Sequence, residues 1–74
     1  MDRTRETVRQ LISELATVPD DDEATLEIES LVRIQIVEAV EDAFDLIVSA
    51  DELTPERFAS VASIARFVDE KKDS

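Results

Sequence analysis

The chain has 74 residues and sets eight Lys and Arg against nineteen Asp and Glu, for a net charge of −11. It has neither cysteine nor histidine, which excludes disulfides, thiolate nucleophiles, imidazole bases and the usual zinc ligands. The charge repels nucleic acid and anionic membrane, so the expected partners are basic proteins.

In chain order, Val8, Leu11, Ile12 and Leu15 recur at i, i+3, i+4 and i+7, with Arg5, Glu6, Arg9 and Glu14 on the other faces. This spacing predicts a first amphipathic helix over residues 3–17. Val18-Pro19 and the run Asp20-Asp21-Asp22-Glu23 then break the period, because proline disfavours helix in the residue before it and clustered carboxylates repel. The result is a long acidic loop over residues 18–29, pinned where Leu26 and Ile28 turn inward between Glu27 and Glu29. The Asp20 to Glu23 run lacks the alternating ligands and the glycine of a calcium loop, and no metal site is expected.

A second helix runs to Phe44, with Ser30 as its expected N-cap and Leu31, Ile34, Val37, Val40 and Phe44 as its expected core stripe. Val32, Ile36, Ala39 and Ala43 add apolar surface beside that stripe. A helix apolar over so much of its circumference is either central to a bundle or carries an exposed patch for a partner. The chain leaves the helix at Asp45-Leu46-Ile47-Val48, and Ile47-Val48 is too short for a strand. Thr54-Pro55-Glu56-Arg57 predicts a short third helix with threonine as N-cap and Phe58 as inward anchor. Ser60 is the N-cap candidate for a last helix over residues 61–71, whose inner face is Val61, Ile64, Ala65 and Val68.

The expected fold is all-α: a small four-helix bundle of three main helices and a short third one, with a long loop between the first and second. It forms a single domain over residues 1–74. A core of this size supplies only about 3–5 kcal/mol, and a buried catalytic cleft is not expected. No nucleophile and base can be paired without histidine or cysteine, so the chain reads as no enzyme. No apolar stretch approaches a membrane span and the N-terminus has no apolar signal core, which makes cytoplasm the expected compartment.

Leu26-x-Ile28-Glu29-Ser30-Leu31, the helix end Glu41-Asp42-Ala43-Phe44-Asp45, and Leu53-Thr54-Pro55-Glu56-Arg57-Phe58 followed by Ser60-Val61 and Ile64 to Val68 together resemble the acyl and peptidyl carrier proteins. The resemblance covers nearly the whole chain and looks like a discrete, type II member. In that family an Asp-Ser-Leu motif opens the second helix and its serine carries phosphopantetheine. Three departures stand out: Glu29 replaces the usual aspartate, Glu27 stands where glycine is common, and Arg33 and Gln35 occupy positions often acidic in fatty-acid carriers.

The resemblance implies that Ser30 bears the phosphopantetheine, whose terminal thiol tethers an acyl or aminoacyl group as a thioester. It implies as partners a phosphopantetheinyl transferase, a loading enzyme and a downstream synthase or transferase. They would meet a face made of Glu29, Leu31, Val32, Arg33, Ile36, Glu38, Glu41 and Asp42 on a monomeric carrier. The departures point to polyketide, nonribosomal peptide or related specialised metabolite (antibiotic) biosynthesis rather than fatty-acid synthesis. The competing expectation is an unmodified acidic interaction module in which Ser30 only caps its helix.

Overall fold

In the computed structural model, which describes residues 3–73, helix α1 spans Arg3–Ser13 and buries Thr4, Val8 and Ile12, one residue per turn along a single face. It ends one turn earlier than the apolar spacing predicts. The Ser13 hydroxyl donates to the Gln10 carbonyl at 2.7 Å, and the amides of Leu15 and Ala16 both donate to the Ile12 carbonyl. The i→i−3 bond of the Leu15 amide tightens this last turn, and Leu15, expected on the inner face, is left exposed.

The loop that follows is acidic yet firmly attached. Arg9 reaches out of α1 to pair with the Asp22 carboxylate, and its other terminal nitrogen donates to the Pro19 carbonyl at 2.6 Å. The Asp22 carbonyl accepts the Ala62 amide at 2.9 Å, and the Leu26 amide donates to the Ala59 carbonyl at 2.6 Å. Leu26 is buried and Ile28 half-buried against the core, so the alternation with Glu27 and Glu29 anchors the segment as expected.

Helix α2 spans Ser30–Phe44. Its inner side is Ile36, Val37 and Val40, with Val32 and Phe44 packed beside them. The expected stripe through Leu31 and Ile34 is therefore rotated: Leu31 is 66% exposed and Ile34 52% exposed, whereas Ile36 is 0% exposed. On a helix with 3.6 residues per turn, Val32, Ile36, Val40 and Phe44 form one i, i+4 row, and this row faces the core. The i, i+3 pair Leu31 and Ile34 is left outward. The chain has no glycine, so the left-handed residue that ends α2 is Asp45, at φ 55°, a conformation aspartate tolerates better than most residues.

A single 3-10 turn, Ala50–Glu52, is closed by a capping box between Ser49 and Glu52. The short third helix expected from Thr54 does not form. Residues 55–58 make only a turn, in which the Arg57 amide donates to the Thr54 carbonyl at 3.2 Å. One turn cannot repay the cost of helix nucleation, and the next residue, Ala59, already gives its carbonyl to Leu26. Phe58 is the inward anchor nonetheless and meets Phe67 edge-on at 5.7 Å.

Helix α3 spans Val61–Asp73 and is capped reciprocally. The Ser63 amide donates to the Ser60 hydroxyl at 3.1 Å and the Ser60 amide donates to the Ser63 hydroxyl at 3.0 Å. Val61, Ile64, Ala65, Phe67 and Val68 complete one core with Val8, Ile12 and the inner side of α2. The Thr4 hydroxyl, which donates to Asp69 at 2.9 Å, fastens the start of α1 to α3. The described residues contain three α-helices, one 3-10 turn and no strand.

Candidate functional site

The segment entering α2 is extended, with Glu29 at φ −77° and ψ 161°. The first helical hydrogen bond runs from the Arg33 amide to the Glu29 carbonyl at 2.9 Å. Glu29 is therefore the N-cap residue and Ser30 the first helical residue, which corrects the expectation that Ser30 caps the helix. The Glu29 carboxylate makes no capping bond, and the first amides of a helix have no partner within it.

The Ser30 hydroxyl is exposed and makes no hydrogen bond among the described residues. Every other described serine spends its hydroxyl locally. Ser13 bonds Gln10, Ser49 bonds Glu52, and Ser60 and Ser63 cap α3. Among the described residues, Ser30 is the one serine whose hydroxyl is tied into no structural hydrogen bond.

The residues expected to recognise partners divide. Leu31, Glu38 and Asp42 are exposed on the outer side of α2, as is Glu29 just before it. Val32 is half-buried against the core. Ile36 is fully buried and cannot offer apolar contact to a partner, because the i, i+4 row that contains it faces the core. Glu41 is half-buried, and its carboxylate accepts the Val48 amide at 2.9 Å, tying down the segment after α2.

Arg33 is also displaced from the acidic side. Helical geometry places it in the sector of Ile36, Val37 and Val40 rather than that of Glu38 and Asp42. It is half-buried, and its Nε is shielded from solvent without a hydrogen-bond partner. Ile34 is the surface residue that periodicity missed. Its exposure beside Leu31 was signalled only by the i, i+3 spacing of the pair, which fits an outer stripe as well as an inner one.

A small helical bundle thus carries an exposed, unbonded serine at the first position of α2, directly after a loop tied to α1 and α3. The family described as the phosphopantetheine attachment site matches residues 6–68. The chain belongs to that family, and its cofactor is covalently attached phosphopantetheine. Domains of this kind are not themselves catalysts and present their cargo to partner enzymes. No curated protein matches the sequence.

The head of α2 fits the phosphodiester of such an arm. The hydroxyl is free, the uncapped first turn favours an anion by roughly 0.3–1 kcal/mol at an exposed site, and the orphaned Arg33 Nε lies one helical turn away. Two shallow hollows lie elsewhere. One, of about 200 Å³, includes Arg57, Arg66 and Phe67 in its lining, and the other, of about 400 Å³, is lined by Thr17, Pro19, Thr25 and Glu27. Ser30 belongs to neither. Among the described residues no group of acids is placed to hold a metal ion, and no helix is long and apolar enough to cross a membrane.

Proposed function

We propose that Ser30 is the attachment residue and that the chain works as a discrete, single-domain carrier in specialised metabolite biosynthesis, of the polyketide or nonribosomal peptide kind. One observation carries the assignment of the residue: Ser30 alone among the described serines has a hydroxyl that is exposed and unbonded. Ser30 Oγ attacks the pyrophosphate of coenzyme A within a phosphopantetheinyl transferase. An oxygen–phosphorus bond forms as the bond to the leaving adenosine 3′,5′-bisphosphate breaks, and the hydroxyl proton passes to a base of the transferase. Once attached, the group supplies a terminal thiol, which this cysteine-free chain lacks, to hold an acyl or aminoacyl unit as a thioester.

The chain's own residues do the rest by presentation. Leu31 and Ile34 give partner enzymes an apolar contact beside the attachment point, and Glu29, Glu38 and Asp42 surround it with negative charge that steers basic surfaces. The chain supplies no catalytic group to the cargo, and its place of work is the cytoplasm. The departures at Glu29, Arg33 and Gln35 from the fatty-acid carrier pattern support a dedicated pathway over housekeeping fatty-acid synthesis.

The test is intact mass after incubation with a broadly permissive transferase and coenzyme A. The wild type is expected to gain one phosphopantetheine and Ser30→Ala none. A wild type that stays unmodified would instead favour an acidic interaction module that binds basic partners through α2.

A further inference from the structure

We propose that Arg33 is a built-in clamp for the phosphodiester on Ser30, fixing the base of the arm against α2; the inference rests on the assignment of Ser30 as the attachment residue. Arg33 is the only Lys or Arg between Arg9 and Arg57, and so the one basic residue of α2. It stands three residues after Ser30. Helical side chains lean toward the N-terminus and cover the turn that precedes them, which places this guanidinium over the turn of Glu29 and Ser30.

Of the other seven cations, six already have work and Arg3 lies exposed at the start of α1. Arg9 pairs with Asp22, with Arg5 at 3.9 Å from the same carboxylate. Arg66 lies 3.8 Å from Glu23, and Lys71 donates to Glu52 at 2.9 Å. Arg57 and Lys72 sit over the rings of Phe67 and Phe44. Arg33 makes no ion pair or hydrogen bond among the described residues, and its Nε is buried and orphaned. Glu29, four residues earlier, has the favoured spacing and order for an ion pair with it, yet no such pair forms. A cation half-withdrawn from water without an acid is costly to keep, and a phosphodiester on the adjacent turn supplies what is missing. Its non-bridging oxygens match the planar fork of arginine, which stays charged at any working pH. The clamp also offsets the repulsion between the new phosphate charge and Glu29.

The test compares ¹⁵N-labelled apo and phosphopantetheinylated protein by NMR, reading the arginine Nε–H signals and the ³¹P resonance. The Arg33 signal is assigned by its loss in Arg33→Gln, and the apo amide spectrum of that variant checks that it folds. On modification of the wild type the Arg33 Nε–H signal is expected to move, and the ³¹P resonance is expected to differ between modified wild type and modified Arg33→Gln. A stationary Arg33 signal with coincident ³¹P resonances overturns the clamp while leaving Ser30 as the attachment residue. A displacement of the apo Arg33 signal in Glu29→Gln, with none on modification, also overturns it by giving the arginine to Glu29. A wild type that gains no phosphopantetheine, or a Ser30→Ala variant that does, brings down the assignment of Ser30 itself.

Discussion

Ile36 and Ile34 are the same residue type two positions apart on α2, yet one is 0% and the other 52% exposed, so truncating each to alanine separates packing from presentation. Ile36→Ala removes three carbons from a fully enclosed site, about 2.4 kcal/mol at roughly 0.8 kcal/mol per buried carbon. The residual cavity adds to this, which brings the loss into the range of about 2–5 kcal/mol seen for such truncations. Against the about 3–5 kcal/mol available to a domain of this size, most of the stability goes. Ile34→Ala gives up surface already half in water and gains helix propensity, for a net change within about 0.5–1 kcal/mol. Urea unfolding followed by circular dichroism reads both. Each kcal/mol moves the thermal midpoint of a small domain by roughly 4–8 °C, so Ile36→Ala is expected to fall by 10 °C or more on this scale, or not to fold. Equal shifts for the two variants would refute the rotated stripe and return Ile34 to the core.

Ser30→Ala is expected to leave the urea midpoint within about 0.5 kcal/mol of wild type, because the hydroxyl makes no cap; a loss of 1 kcal/mol or more would restore Ser30 as a capping residue. The Glu52 carboxyl is lowered from 4.5 to about 2, first by the Ser49 backbone amide and then by Lys71. A depressed carboxyl contributes stability above its unfolded value and loses it as pH falls toward the folded one. The thermal midpoint of Glu52→Gln should therefore lie below wild type at pH 6 and converge with it as pH drops from about 4.5 toward 2; a gap that persists unchanged at the acid end would contradict this. Asp22→Asn breaks the pairing with Arg9, so hydrogen exchange at the Ala62 and Leu26 amides, which tie the loop to the rest of the fold, is expected to quicken. Unchanged protection there would mean that Leu26 burial alone holds the loop.

Much of this fold is written in local pattern. The apolar face of α3, the Ser60 cap, the inward Phe58 and the anchoring role of Leu26 all follow from spacing and turn chemistry, and each is found in place. The errors cluster where pattern is degenerate. In α2, apolar residues occupy so much of the circumference that periodicity does not choose between the row through Ile34 and the row through Ile36; only packing into the shared core does. Helix α1 ends at Ser13, where the Leu15 amide bonds the Ile12 carbonyl three residues back and tightens the last turn, which hydrophobic spacing does not register. At the proposed site, the sequence surroundings single out Ser30, but its freedom from any hydrogen bond is not legible there, nor is the isolation of Arg33, which depends on Glu29 facing solvent instead of pairing with it.

The central claim is that one oxygen, Ser30 Oγ, receives the cofactor. Cleavage at arginine of the transferase-treated protein yields the peptide Gln10–Arg33, which contains both Ser13 and Ser30, and fragmentation that preserves side-chain modifications places the added group within it. The account predicts phosphopantetheine on Ser30 and none on Ser13. The group found on Ser13, on another peptide, or on none would contradict it.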